Sequence, residues 1–135
     1  MKTISIIFLS ILFSSFCFSQ NIISHKQKTP SNKALREIVL NTVRTQVLIK
    51  HHQSVLFEVI CMNQYKNYIW FRGNALKKDG RPIEISDDEA FDCCHVEALL
   101  KKINGHWTLI EFGDFSTDAW WVDLWKKYKL PKKMF

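Results

Sequence analysis

The spacing of apolar residues changes several times along this chain, and each spacing predicts a different element. An apolar run fills residues 4–13, broken only by Ser5 and Ser10, and the polar, unpatterned stretch over 20–29 is expected to be a short mobile arm. Leu35, Ile38, Val39, Thr42, Val43 and Val47 then recur at steps of three and four, the period of an amphipathic helix, predicted over about 30–48. Thr29 suits its N-cap, because a hydroxyl oxygen accepts an orphan amide, and Pro30 suits its first position, having no amide to orphan.

From residue 55 the period shortens to that of strands. VLFEVICM and YIWFRGNA are rich in branched and aromatic residues and flank the polar connector NQYKN, which reads as a hairpin. Asp79-Gly80 and Pro82 mark a turn, and Asp87, Asp88 and Glu89 mark a solvated loop. FDCCHVEALLKKI and HWTLIEFGDF form a second hairpin around Asn104-Gly105, residue types that tolerate the positive φ of a two-residue turn. Pairing Ile103 with His106 sets Leu100 opposite Leu109 and Leu99 opposite Ile110, so both faces of this hairpin are apolar and each needs a cover. The helix supplies one cover. The other is expected from the C-terminal segment, where Ser116, Thr117 or Asp118 caps a short helix, Trp121, Leu124, Trp125 and Tyr128 share a stripe, and Pro131 ends it.

These elements predict an α+β fold in which an N-terminal helix packs on a curved antiparallel sheet of about four strands, followed by a short C-terminal helix. Residues 20–135 make one domain. The order resembles the cystatin-like, or nuclear-transport-factor-two-like, class of curved sheets wrapping a helix. Residues 33–135 also resemble small, signal-bearing bacterial proteins. The resemblance rests on the early helix, a hairpin ending near Trp70-Phe71, the segment 98–107, and a terminal Asp118, Trp121, Pro131 and Phe135. Those are packing residues, and the resemblance implies a fold but no activity.

The first nineteen residues read as a secretory signal peptide. Lys2 precedes the apolar run, and Cys17 and Ser19 place small side chains at the two positions that a peptidase inspects before a cut at Gln20. The run is shorter than the ~20 residues that span a bilayer, so no transmembrane segment is expected after cleavage. The protein is therefore expected to be secreted or periplasmic.

Net charge is +6, and removing the leader removes only Lys2. A basic surface favours anionic partners. Lys126, Lys127, Lys129, Lys132 and Lys133 crowd the last ten residues beside tryptophans, and with Trp120 they are the candidate ligand or surface-binding residues. The expected partner is an anionic surface, a glycan or a protein. Nucleic acid is not expected, since no stacking motif interleaves aromatic and basic residues.

Cys61, Cys93 and Cys94 outlast cleavage, an odd number that leaves at least one thiol free or paired between chains. Neighbours in a strand face opposite ways, so a bridge from Cys61 to Cys93 or Cys94 is expected rather than one between the neighbours; three buried thiols are the alternative.

Chemical motifs are sparse. Cys93 and His95 share a strand face, yet no second ligand pair stands at metal spacing, and no metal or cofactor is expected. No Gly-rich phosphate loop or nucleophile elbow is present. A general acid and base could be drawn from His51 or His52 with His95 or His106, and Glu58, Glu97 and Glu111 lie mid-strand, with Glu58 and Glu97 candidates for the interior. The reading is a non-enzymatic binding or accessory domain, the alternative being a small hydrolase or isomerase-like enzyme with a buried acid or histidine in the cone of the sheet.

Overall fold

The computed structural model describes residues 21–84 and 93–135; the expected leader with its expected cut before Gln20 and the acidic run Asp87, Asp88, Glu89 lie outside the described residues. Five antiparallel strands follow one another across one open sheet: β1 (Ile23–Ser24), β2 (Leu56–Tyr65), β3 (Tyr68–Leu76), β4 (His95–Ile103) and β5 (His106–Asp114). Helix α1 (Lys33–His51) lies between β1 and β2 in the chain, and α2 (Leu124–Lys127) and a 3-10 turn (Lys132–Met134) close it.

Five strands form rather than four because the stretch read as an arm adds β1 to the edge of β2, pairing Ile23 with Gln64 and Ser24 with Asn63. The His25 amide donates to the Met62 carbonyl at 2.6 Å. Arg36, itself buried, fastens the segment by donating Nη1 to the carbonyls of His25 and Lys26, the latter at 2.6 Å.

Helix α1 is displaced by one turn from its expected bounds. The Thr29 amide donates to Asn32 Oδ1 at 2.8 Å and the Asn32 amide to Thr29 Oγ1 at 3.3 Å, so Thr29 and Asn32 close a turn of their own and the helix begins at Lys33. At the far end His52 adopts the left-handed conformation, φ 56°, and its amide donates to the Leu48 carbonyl. That stop lies past Leu48, so the helix keeps Ile49, Lys50 and His51. The buried stripe is Val39, Val43 and Val47, while Ile38 faces out at 49% exposure.

Two hairpins need only two-residue turns. β2 runs on through the expected connector to Tyr65, and Lys66, at φ 52°, turns the chain. Asn104 and Gly105 both have positive φ, 49° and 79°, as a type I′ turn requires. Ile103 pairs with His106 and Leu100 with Leu109, but a bulge then sets Leu99 opposite Glu111 instead of Ile110. The extra residue keeps Phe112 with the helix-side core and turns Glu111 towards the C-terminal segment.

The sheet is covered on both faces. On the helix side Val39, Val43 and Val47 pack with Met62, Ile69, Phe71, Val96, Ala98, Leu100 and Phe115, all at most 1% exposed. On the other side Trp70 and Leu99 meet Leu124, Leu130 and Met134 from the C-terminal segment. Each large side chain so buried contributes roughly 1.5–3 kcal/mol.

Replacing Arg36 with Ala should free β1 while leaving the remaining sheet intact. Charge-assisted bonds contribute about 1.5–3 kcal/mol each, so stability should drop by roughly 2–4 kcal/mol, and the His25 amide should exchange with solvent far faster than amides of β3. Unchanged protection at His25 would refute this anchoring role.

Candidate functional site

Alternation places Glu58, Arg72, Asn74, His95 and Glu97 on the sheet face that meets the C-terminal segment, in neighbouring strands: Asn74 stands across from both Glu58 and His95, and Arg72 across from Glu97. Glu58 stays exposed and accepts from Asn74 Nδ2 at 3.2 Å, so of the two glutamates considered for the interior only Glu97 is buried.

Glu97 has no exposed surface. A lone carboxylate there would cost several kcal/mol, and three neighbours offset it. His95 Nδ1 lies 2.6 Å from Oε1, Trp120 Nε1 donates to Oε2 at 3.3 Å, and Arg72 Nε stands 3.6 Å from Oε1, an ion-pair distance longer than a hydrogen bond. The Arg72 guanidinium in turn sits 4.8 Å over the Trp121 ring. Trp120 can reach Glu97 because Gly113, the cross-strand partner of Glu97, has no side chain: a Cβ there would fall 2.2 Å from the indole.

The two outer tryptophans exchange their expected roles. Trp120, a candidate for surface binding, is part of the aromatic cluster, with its ring 6.4 Å from that of Trp70. Trp125, expected on the packed stripe, is only half-buried and lies outside that cluster. The stripe assumed a helix over the whole segment, whereas α2 is four residues long and the chain before it turns. Leu124, Trp121 and Tyr128 do pack inward. The ammonium groups of Lys126 and Lys132 lie 5.5 and 5.9 Å from the Trp125 ring. Lys126 also pairs with Asp123 at 2.8 Å, and Lys127 with Glu111, whereas Lys129, Lys132 and Lys133 have no carboxylate partner among the described residues.

Glu111 accepts from Lys127 and, at 2.6 Å, from the Tyr128 hydroxyl. Burial alone pushes its carboxyl up, but these two bonds outweigh burial and hold it below the usual range. Burial and the bond to Glu111 raise Tyr128, and the same carboxylate raises Lys127.

The histidines do not converge. His51 is bound to the buried Asp114, which also takes Lys50, on the helix side; His95 is on the opposite face. His52 and His106 are exposed. The cysteine expectation is corrected as well: Cys93 and Cys94 are bonded to each other, with Cα atoms 3.0 Å apart, and Cys61 is free. The pair precedes β4 in a turn, so strand alternation does not separate it, and Cys94 joins the helix-side core while Cys61 packs on the other face. Burial raises the Cys61 thiol, against the opposing charges of Arg72 and Lys26, which disfavours the thiolate. Among the described residues no three His, Cys, Asp or Glu side chains gather as a metal site, and no helix is long and apolar enough to cross a membrane.

Arg72, Asp114 and Gly113 escaped the sequence reading. Alternation from Glu97 would have singled out Arg72 only with the strand register known, and Gly113 has meaning only once Trp120 lies over it. Comparison with family models, curated proteins and solved structures returns no match.

Two outcomes test this arrangement. Gly113→Ala should push Trp120 off the sheet, lowering stability by about 1–3 kcal/mol for overpacking and shifting tryptophan emission to the red; an unchanged spectrum would refute the seating. A lowered carboxyl contributes stability above its ordinary pKa of about 4.3 that is lost as pH falls through the folded value, so the Tm gap between wild type and Glu111→Gln should narrow from about pH 7 to about pH 3. A constant gap would show that the Glu111 latch contributes nothing pH-dependent.

Proposed function

We propose that this chain is an exported, non-catalytic binding domain that attaches to anionic surfaces through the Trp125–lysine end of its C-terminal segment. The observation that carries this reading is Trp125, a large aromatic left out of the adjoining core and flanked by Lys126 and Lys132. An indole at a polar interface with two ammonium groups beside it, that of Lys132 without a carboxylate partner among the described residues, suits lipid headgroups or acidic glycans, the ring supplying apolar contact and the lysines charge. The helix side of the sheet supports the same reading, since its centre is packed with apolar side chains and Asp114, the buried acid on that side, is taken up by Lys50 and His51.

One observation favours the alternative, a small hydrolase or isomerase-like enzyme: the bond between His95 and Glu97, a pairing that orients an imidazole for general base work. It requires a substrate to reach a carboxylate that Trp120 covers.

Vesicle sedimentation separates these. The protein should pellet with phosphatidylglycerol-containing vesicles and not with phosphatidylcholine alone, and the association should fade near 0.5 M salt, where the Debye length falls to ~4 Å. Replacing Lys132 and Lys133 with Gln should weaken it roughly tenfold or more, at ~1 kcal/mol per lysine. Trp125→Ala should weaken it too, with Tm shifted by only a few degrees. Equal binding to neutral vesicles would reject the proposal, as would indifference to the lysine changes.

A further inference from the structure

An open cleft of about 360 Å³ runs beside the C-terminal half of α1, between the helix, the start of β2 and the turn after β3. Two cations line it, Arg44 and Lys78, and no carboxylate does. Lys77 is paired with Glu84, but Lys78 has no ion pair among the described residues. Arg44 uses Nη1 on Asn41 Oδ1 at 2.9 Å, and its Nε is shielded from solvent without a hydrogen-bond partner. Nη2 makes no hydrogen bond among the described residues, so it and the Lys78 ammonium are the donors left for an anion in the cleft. Thr45 and Ser54 add hydroxyl donors to the same wall.

The rest of the lining is apolar. Leu48 and Leu56 are 45% and 43% exposed, large for leucines that flank a basic cleft, and Val55 lies beneath them. A bare inorganic anion would use the cations and leave that wall wet. A neutral apolar molecule would use the wall and leave both cations without a counter-charge. We propose that this cleft binds a medium-chain carboxylate, its head group on Arg44 and Lys78 and its chain along Leu48 and Leu56. The volume suits such a ligand, binding sites for small molecules commencing at about 300 Å³. The site shares no residue with the C-terminal segment, so it stands apart from the surface-binding reading above.

Titration of the protein with sodium octanoate, followed by calorimetry and by amide shifts in a 15N-labelled sample, tests this. Saturable binding is expected, with the largest shifts at Thr45, Ser54 and Leu56, and with acetate and octanol at least tenfold weaker. Arg44→Gln should weaken octanoate at least tenfold, and Lys78→Gln, a change at an exposed side chain that leaves folding unaffected, should weaken it several-fold. Lys132→Gln should leave it unchanged. The proposal fails if octanoate does not saturate, if inorganic phosphate or acetate binds as tightly, or if Lys78→Gln and a folded Arg44→Gln bind as wild type does.

Discussion

Trp70 and Phe71 are consecutive residues of β3, both at most 1% exposed, and consecutive residues of a strand point to opposite faces. The centre of the sheet must therefore be dry on both sides, and every other part of the fold answers to that demand. On the Phe71 side the answer is simple: α1 presents three valines at four-residue spacing, small enough to bring the helix close. On the Trp70 side no comparable helix is available. There the chain assembles a cover from turns, a four-residue helix and a 3-10 turn, and fills it with rings, Trp70 lying 4.9 Å from Phe135, 6.3 Å from Trp121 and 6.4 Å from Trp120.

An irregular cover of this kind has little backbone pairing with the sheet and needs other means of fixing its position. The polar contacts beneath and beside it serve that purpose. Trp120 is held by Glu97 over Gly113, Lys127 and Tyr128 are held by Glu111, and Asn63 Nδ2 donates to the Met134 carbonyl at 3.0 Å. Apolar rings could slide over one another at small cost. A carboxylate with directed donors cannot, because a shift leaves a buried charge without partners. Glu97 thus accounts for its own burial as a positioning group for the cover, without any appeal to catalysis.

Much of the architecture was legible because it rests on period: one helix, two hairpins and a terminal cover follow from spacing and turn residues. What escaped was set by contacts between distant residues. Ile23–Ser24 carries no strand pattern of its own and is a strand only because Arg36 holds the next two carbonyls and β2 offers an edge. The bulge at Ile110 is invisible to alternation, and it changes which side chains of β5 face the cover. Trp120 and Trp125 were exchanged because helical spacing was extended through residues that turn. The expected bridge from Cys61 treats Cys93 and Cys94 as strand neighbours facing opposite ways, although they stand before the strand starts.

The same economy of carboxylates shapes the outer surface. Glu97 and Asp114 are buried in the two faces of the sheet, and Glu111 is taken up by Lys127 and Tyr128. Each acid used in fastening an element is one fewer on the surface to neutralise the surrounding lysines. Of the five lysines in the last ten residues, two are held by Asp123 and Glu111, and the other three face solvent, Lys132 of them beside an indole that the core does not absorb. The basic end is therefore a consequence of how the second face of the sheet is closed, since the segment that seals Trp70 inward is the same one that turns Trp125 and its lysines outward.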